Sequence, residues 1–277
     1  MCGPTEAGRP PALYVLDLVS GSTQRVADEA SDGRSPSWSP DGESLSYQVE
    51  VDIGPAPVAA TELWVYSLAA GTRRQLDQPH YFEGSPVWEP DGSPVVYVVG
   101  SWQHSNGPVD TYRVPLDGSG GSVWRPGIEA VAPGPDGRWL AVREAPGRKT
   151  TPVFYLLEAD GSVEPLSRGP SGIALPMEWL PVGWLDTDPV VWRQTEPPGS
   201  YSAGRGEVWA MGKPPRLLAS DVPRVDVRLG NVALSCSRLL YVDEWRGGEV
   251  WLVDLSTGQK SRLAVPGHRP VSLRPGK

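Results

Sequence analysis

Residues 35–49 read SPSWSPDGESLSYQV, and residues 85–99 answer with SPVWEPDGSPVVYVV. A third copy, EAVAPGPDGRWLAVR, occupies 129–143, and weaker ones lie at LPVGWLDTDPVVWR (180–193) and NVALSCSRLLYVD (231–243). The shared Pro-Asp-Gly step has a mechanical meaning. Pro40, Pro90 and Pro135 preset φ for the second position of a turn. Asp41, Asp91 and Asp136 can accept hydrogen bonds from nearby backbone, and Gly42, Gly92 and Gly137 take the left-handed conformation that closes the turn. The apolar runs on either side are nearly continuous, as in strands buried on both faces. Each copy therefore predicts a buried hairpin.

A second pattern falls between these hairpins. It appears as ALYVLDLVSGSTQRV (12–26), ELWVYSLAAGTRRQL (62–76), DTYRVPLDGSGGSVW (110–124), PVFYLLEADGSVEPL (152–166), EVWAMGKPPRLL (207–218) and EVWLVDLSTGQKSRL (249–263). Each has an aromatic near its start, namely Tyr14, Trp64, Tyr112, Tyr155 (or Phe154), Trp209 and Trp251. Apolar residues two and four places later keep the period-two alternation of a strand with one face buried. A Gly-rich turn follows, as a tight hairpin requires. Two alternating hairpins every 40–50 residues give four strands per repeat, the arithmetic of a propeller blade. The strands are lettered a to d from the channel outward, so that Pro-Asp-Gly joins a to b and the Gly-rich turn joins c to d.

The recurring W-[ST]-P-D-G and the L-W-V-type strand after it resemble the repeat of the TolB-like β-propellers, over residues 12–274. Close relatives of that repeat occur in the propeller domains of prolyl oligopeptidase-type peptidases. The expected fold is an all-β, six-bladed β-propeller of four-stranded antiparallel blades. Residues 1–11 form a polar tether and 12–277 a single domain. The ring is expected to close by a mixed blade, in which the N-terminal hairpin (12–27) pairs with a strand near VSLRPG (271–276). Asp186-Thr187-Asp188 and Ser235-Cys236-Ser237 depart from the turn motif.

Composition bounds the function. The net charge of −8 argues against nucleic acid or an anionic membrane surface as a general partner. No apolar run reaches the ~18 residues of a membrane-spanning helix. Cys2 and Cys236 are the two cysteines, too few for a disulfide framework or a Cys-rich zinc site. Cys2 at the head of a Gly/Pro-rich segment matches a lipid-anchored envelope protein after loss of its leader. A cytoplasmic location is the alternative.

Propeller geometry places a–b and c–d turns on one face, and b–c and d–a loops on the other. The b–c loops are long, at 50–61, 100–109, 144–151, 194–206 and the shorter 244–248, as are the d–a loops 77–84 and 167–179. Binding residues concentrate in such loops. Trp102, Tyr81, Phe82, Trp179, Tyr201 and Trp245 are candidates for an aromatic recognition rim. Arg205 and Arg246 can grip a carboxylate bidentately, and His104 shares the rim. His80 and His104, with Asp52, Glu83 or Asp110, are the candidate metal ligands. No nucleophile elbow or phosphate loop is present, the carboxylate pairs Asp186/Asp188 and Glu50/Asp52 read as solvated acids, and no cofactor is expected.

The resemblance implies a non-enzymatic scaffold that binds a protein or peptide through the long-loop face, as a monomer in the cell envelope. The alternative is a sugar- or metal-dependent small-molecule binding protein or enzyme that uses the channel mouth.

Overall fold

The computed structural model describes residues 12–17, 20–27, 36–51, 60–80, 82–93, 95–100, 109–143, 153–166, 179–195, 204–225, 231–235, 237–243 and 248–263. Among these lie twenty-two strands. The chain opens on an antiparallel hairpin, β1 (Leu13–Leu16) and β2 (Thr23–Ala27). Five four-stranded antiparallel sheets follow in chain order. The first blade is β3 (Ser37–Trp38), β4 (Ser44–Val51), β5 (Ala60–Ser67) and β6 (Thr72–His80). The second is β7 (Phe82–Trp88), β8 (Val95–Val99), β9 (Asp110–Val114) and β10 (Ser122–Arg125). The third is β11 (Glu129–Pro133), β12 (Trp139–Arg143), β13 (Val153–Leu157) and β14 (Val163–Pro165). The fourth is β15 (Trp179–Leu185), β16 (Asp188–Gln194), β17 (Arg205–Ala210) and β18 (Arg216–Pro223). The fifth is β19 (Val232–Ser235), β20 (Arg238–Asp243), β21 (Glu249–Asp254) and β22 (Lys260–Leu263).

The architecture is an all-β propeller with four-stranded antiparallel blades. The count corrects the expectation of six. Five blades are complete among the described residues, and the opening hairpin contributes two strands without an a–b pair. The segment 271–276, expected to supply the missing inner strand, lies outside the described residues, as do 1–11.

The Pro-Asp-Gly turns do what the sequence asks of them. Gly42, Gly92 and Gly137 have φ of 70°, 86° and 82°. Their amides donate to the carbonyls of Ser39, Glu89 and Gly134 at 2.8, 2.9 and 3.2 Å. The Asp41, Asp91 and Asp136 carboxylates accept from the amide two residues on, at 2.9, 3.0 and 3.2 Å. The two divergent turns close as two-residue hairpins, Leu185 opposite Asp188 and Ser235 opposite Arg238. Asp186 reaches a φ of 52°, which an aspartate tolerates better than most residues.

Strand b is the buried element of each blade, as continuous runs such as Val95–Val98 and Pro189–Trp192 show. Its alternate residues feed opposite seams. In β20, Leu239 and Tyr241 enter the large core spanning the third to fifth blades, whereas Leu240 and Val242 enter a separate cluster with Val250. The core is thus a series of layers between blades rather than one central mass.

The motif tryptophans tie these layers at the inner strands. Trp88 Nε1 donates to the Ser37 carbonyl of the preceding blade at 3.0 Å, and Trp184 Nε1 to the Ala132 carbonyl at 2.9 Å. At Gly134 a Cβ would sit 2.9 Å from the Trp184 ring, so glycine there admits the next blade's indole. The strand c tryptophans are half-buried. Each donates to a glutamate two residues earlier on the same strand face: Trp64 to Glu62 and Trp209 to Glu207 at 2.9 Å, Trp251 to Glu249 at 3.2 Å. Their periodic spacing reflects blade packing.

The outer strands carry a repeated irregularity. Opposite the strand c aromatic, strand d holds one extra residue, giving a β-bulge. Gln75 pairs Trp64 and Asp77 pairs Leu63, so Leu76 is the extra residue; Trp124 and Leu218 hold the same place in the second and fourth blades.

Candidate functional site

The long-loop face rests on strand pairs closed right up to the loop roots. Val51 pairs with Ala60, Val99 with Asp110, Arg143 with Val153, Gln194 with Gly206 and Asp243 with Glu249. Two roots are tightened further. Gly100, with φ of 136°, approaches Val109 so closely that a Cβ would lie 3.0 Å from the Val109 Cα. Thr195 donates its amide and its hydroxyl to the Arg205 carbonyl, both at 3.2 Å. In the fifth blade the Gly248 amide donates to the Asp243 carbonyl at 3.0 Å, which makes the b–c connection short. Loops so anchored lose little freedom at their ends when they bind.

Of the residues singled out on this face, the structure describes the side chain of Arg205. It sits at the first position of β17 and turns sideways into the seam between the fourth and fifth blades. Its Nε donates to the Asp221 carboxylate, its Nη2 to the Asp221 carbonyl at 2.7 Å, and its Nη1 to Asp243 at 3.5 Å. The Asp243 side chain is 2 % exposed. Lys260 Nζ donates to the carbonyls of Ser220 and Asp221 at 2.7 and 3.1 Å. The hydrogen bond to Asp221 and the two nearby carboxylates hold the guanidinium further above its already high pKa. Arg205 thus spreads its donors over one oxygen of each of two carboxylates and a backbone carbonyl of its own chain.

The d–a loop expected over 77–84 is shorter than foreseen. β6 continues through His80, whose backbone pairs with Thr61, and β7 starts at Phe82, opposite Val99. Pro79 and the polar residues beside it resemble a loop, yet the ladder absorbs them. Asp110 is engaged structurally, its carboxylate accepting the Gly127 amide at 2.8 Å. Among the described residues no three His, Cys, Asp or Glu side chains cluster to hold a metal ion. Trp102, His104, Tyr81, Tyr201, Trp245, Arg246, Asp52 and Cys236 lie outside the described residues, as do the side chains of His80, Phe82, Glu83 and Trp179. No helix among the described residues is long and apolar enough to cross a membrane.

A set of polar side chains that sequence reading missed lies at the seam of the first two blades. The Tyr97 hydroxyl donates to Asp77, whose other carboxylate oxygen accepts the Gln78 amide at 2.8 Å; the Gly121 amide reaches Asp77 at 3.1 Å. Burial, then the hydrogen bond to Asp77 and its charge, push the Tyr97 phenol far above its ordinary pKa. Tyr97 also stacks on Tyr112, centroids 5.5 Å apart. At Gly121 a Cβ would overlap both the Tyr97 hydroxyl and the Asp77 carboxylate, so the glycine is required by close approach. The arrangement is a structural latch.

Comparison with proteins of known structure follows the same geometry. TolB from Acinetobacter baumannii superimposes with a TM-score of 0.69 at 17 % identity, over 96 % of this chain and 63 % of that protein. The chain folds as a TolB-like β-propeller. A TolB from Agrobacterium tumefaciens gives 0.62 at 16 % identity, over 92 % of this chain and 89 % of the other. The acylaminoacyl peptidase of Pyrococcus horikoshii gives 0.57 at 13 % identity, over 92 % of this chain and 41 % of the peptidase. The chain thus spans less than two thirds of both the A. baumannii TolB and the peptidase. No family model and no curated protein matches the sequence. At these identities the likeness of the TolB-like propeller to its structural relatives concerns the fold.

Proposed function

We propose that this TolB-like propeller is a non-enzymatic scaffold that captures a protein or peptide partner on its long-loop face. The observation that carries the reading is the set of five b–c strand pairs closed at the loop roots, which presents several long loops from one rigid support. A binding surface built this way costs little ordering on association. Trp102, Tyr81, Tyr201 and Trp245 supply large rigid contact area, with His104 and Arg246 as polar contacts and Arg205 bracing the fourth-blade root. The protein acts as a monomer in the cell envelope.

A thermal-shift panel of divalent metals, a chelator, oligosaccharides and short peptides separates this reading from small-molecule binding at the channel mouth. A ligand of the native state at 100 times its dissociation constant stabilises by about 2.7 kcal/mol. The scaffold reading expects no response to metals or sugars. A metal- or sugar-dependent rise, lost on replacing His80 and His104 by alanine, overturns it.

A further inference from the structure

The seam between the second and third blades holds charge that the propeller itself does not use. In the first blade, the residue after the bulge is Asp77, satisfied by Tyr97 and Gly121. In the fourth blade the same place is taken by Ala219, which needs nothing. In the second blade it is Arg125. The strand b position that carries Tyr97 opposite Tyr112 carries Ala141 opposite Tyr155 in the third blade. Among the described residues neither a hydroxyl nor a carboxylate comes to meet the guanidinium.

Arg125 lies over the Trp124 ring, its Cζ 4.6 Å from the centroid, and Arg113 lies 3.9 Å from the same ring. Trp124 is held in turn by an edge contact with Trp139 at 5.3 Å. Among the described residues the Arg125 side chain makes one long hydrogen bond, 3.4 Å from Nη1 to the Trp124 carbonyl, and its buried Nε has no partner. No carboxylate among the described residues pairs with it. By contrast Arg138, Arg205 and Arg262 all find acids of their own chain. Arg113 meets Glu89 at 2.5 Å, but the alignment leaves both Glu89 Oε1 and Arg113 Nε without a hydrogen bond. Gly161, in the short c–d turn of the third blade, leaves room for Arg125: a Cβ there would lie 3.3 Å from Nη2. Stacking fixes the guanidinium plane and leaves its edge to a planar, doubly accepting anion.

We propose that Arg125, braced on Trp124 beside the Arg113–Glu89 ion pair, forms a docking site for an Asp or Glu carboxylate of an acidic segment in a partner protein, at the seam of the second and third blades. With Arg113 paired to Glu89, the Arg125 guanidinium leaves one positive charge unpaired among the described residues, on a chain whose net charge is −8. That complementarity selects an acidic segment over a basic one. The site lies against the short turns, and its test is independent of the long-loop face.

The experiment follows the arginine Nε–H cross-peaks of the full-length 15N-labelled protein by NMR, with N-acetyl-triglutamate amide as probe. The Arg125 signal should shift saturably, and more salt should weaken the binding. Arg125→Gln should lower affinity by about tenfold, the range of one charge-assisted contact, with an unchanged melting temperature. Should that variant fold poorly, Arg125→Lys keeps the charge without the fork and should still weaken binding. Absence of a saturable shift overturns the proposal, as does equal binding by the Gln variant or by the triglutamine peptide. Glutarate binding as tightly as the peptide would also overturn it, by leaving a small-anion site in place of a protein-docking one.

Discussion

The two neighbouring seams of the second blade use the same backbone plan to different ends. On the side facing the first blade, Asp77, Tyr97 and Gly121 lock together, and Tyr97, Gly121 and the Gln78 amide would each lose a partner if the acid were removed. On its other side, Arg125 occupies the place corresponding to Asp77, stacks on Trp124, and finds Ala141 where Tyr97 would stand. The β-bulge that aims both residues across the seam comes from the repeat, whereas the chemistry delivered there does not. One seam is closed by polar satisfaction, the other by aromatic packing with a charge at its edge.

The contrast is broken most severely at the latch. Asp77→Ala strands the Tyr97 hydroxyl and the Gly121 amide inside the seam and should cost about 3 kcal/mol, measured by urea unfolding at neutral pH. Tyr97→Phe keeps the ring stack and removes the donor, so about 1.5–3 kcal/mol is expected for leaving the carboxylate short of a partner. Arg125→Ala, at the corresponding place across the blade, should change stability by less than about 1 kcal/mol, because it breaks no ion pair. A loss from Arg125→Ala as large as that from Asp77→Ala would erase the distinction between the seams.

The smallest effect concerns pH. Burial raises the Glu89 pKa above the usual carboxylate value, more than its contact with Arg113 lowers it. An acid whose folded pKa is raised binds more protons in the native state, so it erodes stability as pH climbs from the ordinary Glu range through the raised value. Glu89→Gln should flatten that part of the stability–pH curve. Asp136 behaves oppositely: its hydrogen bond to Arg138 lowers its pKa, and that contribution fades as pH falls below the ordinary Asp range. Unfolding midpoints should therefore respond in opposite senses, Glu89→Gln above the ordinary Glu range and Asp136→Asn below the ordinary Asp range.

Much of the fold was legible because its signals are local. Pro-Asp-Gly encodes a turn within three residues, and the alternation around Trp64, Trp209 and Trp251 encodes a strand within six. The motif tryptophan carried more than its turn, since Trp88 and Trp184 reach the preceding blade about fifty residues away. The bulges at Leu76, Trp124 and Leu218 were not legible, because one extra residue breaks the period-two pattern that reveals strands. The Asp77 latch was missed for that reason, and its partners Tyr97 and Gly121 belong to another blade. Arg205 was found by residue type and loop position, but its partners Asp221 and Asp243 come from strands 16 and 38 residues on. On the long-loop face, sequence located the loops and the structure supplied their closed roots.

The most direct test of the account is site-specific photo-crosslinking in the native cell. A photoreactive phenylalanine analogue would replace Trp102, Tyr201 or Trp245 on the long-loop face, and Leu68 or Ser256 in the short turns of the first and fifth blades. The account predicts a protein adduct of defined mass from the long-loop positions and none from those two short turns. Adducts from the short turns alone, or from no position, would contradict capture through the long-loop face.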